Sequence, residues 1–356
     1  MKNRRNELCS CGSGKKYKKC CLEQNYMEAL FEASDTLKRE AKIKQCLHPI
    51  KSECSSNIIK AHAIQNNRIL SKLAVDGHVI SMDGNSNLIF QDAQSKGRKI
   101  ATTFSGFCSF HDKTLFQDIE DKDFIGTSKQ VFLLTYRTLA WHYHKKQEQI
   151  NSVALLEGKM KQKGHPIPPT QDYFDLINAY QFAAQDNDTE KELFDKYLID
   201  GDYEKISYQI WEIPYNIEFA ISMMNGLEHD INGNEINDYL AEMPIKNIYL
   251  NIFPGDKKSY CIWSWLTSND ISYMDFSKQF MMLSIEERKN YLNNQMPRWS
   301  DAIIISPRLW NKWGKDIQQA LIAHANFDML YRAMEKEESM YAYQYMDTPW
   351  DFFEAI

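Results

Sequence analysis

Cys46-Leu-His-Pro-Ile-Lys-Ser-Glu-Cys54, read together with Cys108-Ser-Phe-His111-Asp112, organises the first half of the chain. Thiolates and an imidazole at these positions form a soft donor set. Such a set suits a tetrahedral structural zinc ion, with Cys46 and Cys54 on one side and Cys108 and His111 on the other. The later pair has the C-x-x-H spacing of ligands at a helix start. Seven residues separate the first pair, a wide gap, so His48 competes for one of its two places. Read as plain packing, Cys54 and Cys108 are buried thiols. Between the pairs lies a strand, 58–61, that ends at His62, then a short helix pattern over 68–75. Strand-like runs follow at 78–82, 88–91 and 100–104, with turns at Asp83-Gly84-Asn85 and Lys96-Gly97. A helix pattern over 113–120 closes the region.

A thiolate pair, a β-hairpin region and a C-x-x-H at a helix start is the layout of a treble-clef zinc site. The segment resembles a divergent HNH (ββα-metal) nuclease finger. That resemblance implies that His62, at the end of the first strand, activates a water. It implies that Asp112, just after the last zinc ligand, holds a catalytic Mg²⁺ or Mn²⁺, and that Asn85 or Asn87 orients the histidine. Three departures stand against a simple transfer. The first pair is C-x7-C where C-x2-C is usual, aspartate replaces the usual final histidine, and the segment from His62 to Asp112 is long. A binding-only finger, with His62 in a core or on the zinc, is the alternative. Residues 46–145 also look like bacterial proteins from phage-defence and mobile-element neighbourhoods. The shared pattern is Cys46, Ala61-His62-Ala-Ile-Gln65, Cys108-x-x-His111-Asp112, Leu115-Phe116, Ile119-Glu120 and Tyr136-Arg137. The resemblance implies a role in antiviral defence.

Upstream, Arg4-Arg-Asn-Glu-Leu-Cys-Ser-Cys-Gly-Ser-Gly-Lys-Lys-Tyr-Lys-Lys-Cys-Cys21 crowds Cys9, Cys11, Cys20 and Cys21 into thirteen residues. Four thiolates so close, with no secretory signal ahead of them, read as ligands of a second structural zinc rather than as disulfides. The stretch closely resembles the SEC-C motif, a zinc-binding module of the SecA ATPase and of many unrelated bacterial proteins. The resemblance implies recruitment to a protein partner or the ribosome, without catalysis. Charge agrees with an anionic partner. Residues 1–21 sum to +6 within a chain of net charge −6, so the remainder sums to −12. Nucleic acid, a ribosome or an acidic protein face would each suit this basic knuckle. Solubilising lysines on a capped N-terminus are the plainer account.

The chain has 356 residues, of which 43% are hydrophobic and 13% aromatic, enough for several globular domains. No apolar run approaches the roughly 20 residues of a membrane helix. The basic start, MKNRRNELC, lacks an apolar core, so a cytoplasmic protein is expected. A helix is expected over 25–43, a long one over 128–149 and another over 172–197, with a basic Pro/Gly break at 159–170. His142 and His144 are two apart and so read as surface histidines. Strands follow at 208–213, 218–223, 245–253 and 259–265, with a hairpin turn at Pro254-Gly255-Asp256. One helix is expected over 277–295, a strand over 302–306 and mainly helix over 310–334. The loop at Asp230-Ile-Asn-Gly233 fails the calcium-loop pattern. Cys261 reads as a core thiol, and the aromatic tail 341–356 as docked on its own body. No P-loop, dinucleotide glycine pattern or nucleophile elbow occurs. The fold class is α+β: an N-terminal zinc knuckle (1–24), a linker helix and treble-clef finger (25–127), a helical middle (128–200) and a mixed α/β C-terminal domain (201–356). Oligomeric state is left open.

Overall fold

The computed structural model describes residues 5–9, 14–20, 22, 37, 40–82, 92–162, 171–239, 243–300, 302–326 and 347–355, and among these the side chains of 171–184 are excluded. Cys11, Cys21, Asn85, Asn87, the run at 88–91 and most of the helix expected over 25–43 lie outside the described residues. Helix and sheet are mixed, as an α+β protein requires. The chain divides into two compact units. One comprises Met1–Ile43, Ser86–Ile89 and Lys145–Gln185, the other Lys44–Asn85, Phe90–His144 and Asp186–Ile356.

In the first unit the N-terminal stretch doubles back on itself. Leu8 bridges Lys16, the Cys9 N–H donates to the Lys15 carbonyl at 2.8 Å, and the Tyr17 N–H donates to the Glu7 carbonyl at 2.8 Å. Gly14, at φ +70°, makes the reversal that a residue with a Cβ adopts only under strain. In the same unit Lys159 pairs with Glu40 at 2.8 Å, and the Ile43 N–H donates to Glu148 Oε1 at 3.3 Å.

The second unit holds two sheets. Strands β1 (Ile58–His62) and β4 (Thr103–Cys108) pair antiparallel, with Ile58 opposite Cys108 and His62 opposite Thr103. Helix α1 (Ser109–Glu120) follows directly. The strand expected over 100–104 therefore starts later, because 98–102 forms turns. The partner of the 58–62 strand is not the neighbouring hairpin but the strand that leads into the helix. Strands β2 (His78–Ser81) and β3 (Gln94–Gly97), the latter not expected from sequence, leave the finger and enter the large sheet.

That sheet has seven described strands in the order β3-β2-β9-β6-β7-β8-β5, all antiparallel, with β5 Ile206–Ile213, β6 Phe219–Asn225, β7 Ile248–Pro254, β8 Ser259–Leu266 and β9 Ile303–Ile305. Every residue of β7 and β8 is buried. Such strands read as continuous apolar runs because both sheet faces are covered. On one face Trp263 meets Phe276 and Phe280 at ring separations of 5.1 and 5.6 Å. Those rings belong to α4 (Asp270–Met282), which packs there with α5 (Ile285–Trp299) and α6 (Pro307–Ala325). The single helix expected over 277–295 is thus two. Ser284 and Glu287 form a reciprocal capping box that starts a new helix within the apolar pattern.

The opposite face carries the first half of α2 (Ser128–Gln162). Small hydroxyl residues let it lie close. Thr135 Oγ1 is 2.8 Å from Ser264 Oγ, and Thr138 Oγ1 is 2.9 Å from Ser222 Oγ. This contact corrects the reading of two histidines. His144 is fully buried, with its ring 5.4 Å from Phe104, and His142 Nε2 accepts the Met224 N–H at 3.1 Å. A helix wedged between sheet and finger has little free surface there.

Helix α3 (Gln171–Asp200) places Glu190 in the interior, where Asn247 Nδ2 donates to its Oε2. Burial raises this carboxyl from 4.5 to about 7, against the lowering effect of Asn247 and Tyr249. The folded protein therefore keeps a proton that the unfolded chain loses above pH 4.5. Stability from this group falls as pH rises between those two values and is flat above the higher one. Glu190→Gln keeps an acceptor for Asn247. Urea titrations from acid to pH 8 should show a flatter profile in the variant and a gain of about 2–3 kcal/mol at the alkaline end.

Candidate metal centre

Four short pieces of backbone bring Cys46, Cys54, Cys108 and His111 together. Residues 45–47 run along β4, with the Gln45 N–H on the Ser105 carbonyl at 3.1 Å and the Leu47 N–H on the Gly106 carbonyl at 2.8 Å. A single 3₁₀ turn, Lys51–Glu53, takes up the wide spacing and returns the chain at Cys54. Ser55 Oγ then accepts from the Phe110 N–H at 3.2 Å and lies 2.9 Å from Ser109 Oγ, which ties Cys54 to the start of α1. Cys108 is the N-cap of that helix, and its sulfur accepts from the His111 N–H at 3.5 Å.

The ligand atoms of these four residues all lie within 4.8 Å of one another. His111 Nδ1 is 3.4, 3.5 and 3.3 Å from the sulfurs of Cys46, Cys54 and Cys108. A tetrahedral zinc with bonds of about 2.3 Å to sulfur and about 2.0–2.1 Å to nitrogen has S···N edges of about 3.5 Å. The donor set therefore fits a zinc-sized ion. Electrostatics favour ionised sulfur at the helix end. Burial opposes ionisation of Cys108, yet the His111 N–H and the Ser55 hydroxyl and N–H bring its thiol down to about 6. Behind the histidine, Glu53 Oε2 stands 3.9 Å from Nε2, the position of an orienting carboxylate. His48 is not one of the four. Its ring stacks on His111 at 3.8 Å and 9°.

Side chains of α3 support the first knuckle. Lys191 Nζ donates to the Leu47 carbonyl at 2.9 Å, and Tyr136 OH donates to Asp195 at 2.6 Å. Lys191 also pairs with Asp195.

A second group of polar side chains comes from the end of β1, from α1 and from α2. His62 Nε2 and Asp112 Oδ1 are buried and have no hydrogen-bond partner, and no bond joins one residue to the other. Both feel the charges of Arg137 and Glu120. Arg137, from α2, holds Glu120 at 2.6 Å, stacks 3.9 Å from the Phe116 ring and leaves its Nε without a partner. Burial lowers the pKa of His62, against hydrogen bonds to the backbone of Arg98 and Lys99, and keeps the ring neutral. Burial raises the Asp112 carboxyl, Arg137 opposes this, and Glu120 adds to it. Glu53 and Lys191 carried no sequence signal, and Glu120 stood only within the quoted pattern. Arg137 stood within a quoted pattern, and a charge on the apolar stripe of a helix was its available cue.

The remaining sequence candidates are structural. Asp230 Oδ1 accepts the N–H groups of Asn232 and Asn234, and its Oδ2 accepts Asn234 Nδ2 and Gln279 Nε2, which saturates the carboxylate without an ion. Cys261 is fully buried in β8, where burial pushes its thiol pKa up. Cys9 is buried and Cys20 partly so, while the other two N-terminal cysteines lie outside the described residues.

Residues 5–23 match the family described as SEC-C motif. No curated protein and no solved structure matches the chain. With a Cys₃His cluster and a SEC-C motif, the chain carries the features of a zinc-binding protein. No helix among the described residues is long and apolar enough to cross a membrane.

Proposed function

We propose that this protein is a divergent HNH-type, metal-dependent endonuclease, brought to its target by the basic SEC-C segment and serving in antiviral defence. The observation that carries this reading is the pairing of unpartnered polar atoms. His62 Nε2 and Asp112 Oδ1 are both left without protein partners, His62 at the end of the strand that pairs with β4 and Asp112 directly after His111 of the Cys₃His cluster. A neutral imidazole with a free ring nitrogen is equipped to take a proton from water. Asp112 is the residue that would hold Mg²⁺ or Mn²⁺, and such an ion would stabilise charge on the leaving oxygen. The structural zinc fixes the end of β4 and the first turn of α1, and so the position of Asp112.

One observation favours a second reading, a non-catalytic adaptor that binds a protein, ribosome or nucleic-acid partner. The same two atoms are sealed from solvent. Nuclease assays on single- and double-stranded DNA and RNA, with added Mg²⁺ or Mn²⁺, separate the two. Cleavage should fall by about 100- to 10,000-fold in His62→Ala at unchanged zinc content. Asp112→Asn should raise the divalent ion concentration needed. Absence of cleavage by the wild type on every substrate, or cleavage that survives His62→Ala, would overturn the nuclease reading.

A further inference from the structure

The second unit contains a cavity of about 530 Å³ that the cleavage chemistry does not use. It opens between the segment after β1, the first half of α2 and the β7–β8 hairpin. Its size lies within the range of about 300–1,000 Å³ that encloses most of a small ligand. Ile69, Leu134 and Phe253 make the lining apolar. Phe124 and Tyr260, packed edge to face with ring centroids 4.8 Å apart, add aromatic surface against which a flat ring can pack.

Two of the lining residues carry donors that no protein atom satisfies, Arg137 at Nε and Asn251 at Nδ2. Both atoms are sealed from solvent, so a ligand in the cavity packs against these two side chains and does not bond to those donors. The mouth is basic on an otherwise acidic body. Arg68 pairs with Asp123 at 2.7 Å and Lys72 with Asp256 at 2.6 Å, exposed pairs that an incoming anion can exchange at small cost. Lys257 has no ion-pair partner among the described residues.

We propose that this cavity binds a small anion built on a flat ring, in chemical class a nucleotide. The ring packs against Phe124 and Tyr260, and its phosphate lies at the mouth with Lys257 and Arg68. Arg137 is shared with Glu120 and faces the charges of His62 and Asp112, so occupancy of the cavity reaches that cluster. The inference rests on the cavity and does not require cleavage.

The test is isothermal titration of the full chain with AMP, GMP, CMP and UMP, and with adenosine, inorganic phosphate and benzoate for comparison. At least one monophosphate should bind with a Kd below about 1 mM, and adenosine and phosphate at least about tenfold more weakly. Lys257→Glu combined with Arg68→Glu should weaken binding by about tenfold or more, while Lys315→Glu, on exposed helix surface away from the cavity, should leave it unchanged. Three results would overturn the proposal: no binding of any monophosphate near that concentration, equal binding by the charge-reversed cavity variant, or benzoate or phosphate binding as tightly as the nucleotide.

Discussion

Cys108→Ser is expected to remove about one zinc ion per chain and to destabilise the second unit by several kcal/mol. The argument separates two roles of this residue. As N-cap, the sulfur accepts the His111 N–H, and serine is among the best residues at that position, so the helix start survives the change. As ligand, the sulfur is one of three that converge on His111 Nδ1, and a neutral hydroxyl is a poor substitute for a thiolate. Structural zinc binding is worth about 10–16 kcal/mol in small zinc domains, and that free energy is coupled to folding. Elemental analysis of the purified protein reads the first effect, and thermal unfolding with and without chelator the second. Cys261→Ser is the control. It introduces a hydroxyl into a buried strand and should lower stability without changing zinc content. Equal zinc in wild type and Cys108→Ser would remove the Cys₃His centre from the account.

Phe352→Ala is expected to cost about 3–5 kcal/mol, and truncation before Asp347 to unfold the second unit. Phe352 is fully buried, with its ring 5.1 Å from Phe219 and 5.4 Å from Trp313. Trp350 and Phe353 are nearly as deeply buried. The backbone is held too. Asn293 Oδ1 accepts the Phe352 N–H, its Nδ2 donates to Asp351, and its carbonyl accepts Trp350 Nε1. At about 3–5 kcal/mol each, the loss of three large aromatic side chains together is comparable to the roughly 5–15 kcal/mol that stabilises a typical domain. Urea titration of Phe352→Ala and near-ultraviolet circular dichroism of the truncation measure the two effects. A shift below about 1 kcal/mol in the first would mean that the tail packs without contributing.

Much of the C-terminal sheet was legible because hydrophobic runs and turn residues agree there. Pro254-Gly255-Asp256 between two apolar runs marks the β7–β8 hairpin, and the aromatic tail docks on its own core as its composition implies. The four ligands of the Cys₃His cluster were legible from residue type and spacing alone. Harder to read was which strand pairs with which. Strand β1 finds its partner forty residues on, and local turn signals at 83–85 point instead to a neighbour. The capping box at Ser284 was missed because apolar spacing continues through it. The histidines of α2, His144 buried and His142 half-buried, were misjudged because helical spacing gives directions around one axis but not how many neighbours surround it. Arg137 escaped notice as a site residue for the same reason.

The order of the large sheet also sets a schedule for the emerging chain. Strands β2 and β6 are joined through β9, a three-residue strand made after every other described strand of the sheet. Until Ile303–Ile305 arrives, the pair of β2 and β3 has no seat, and β2 and β6 each present an unpaired edge. Exposed edges of that kind invite pairing with other chains, and assembly that waits for distant segments is slow. A nascent chain therefore carries an adhesive, half-built sheet until β9 is made, and the short strand acts as the keystone whose delivery ends that exposure.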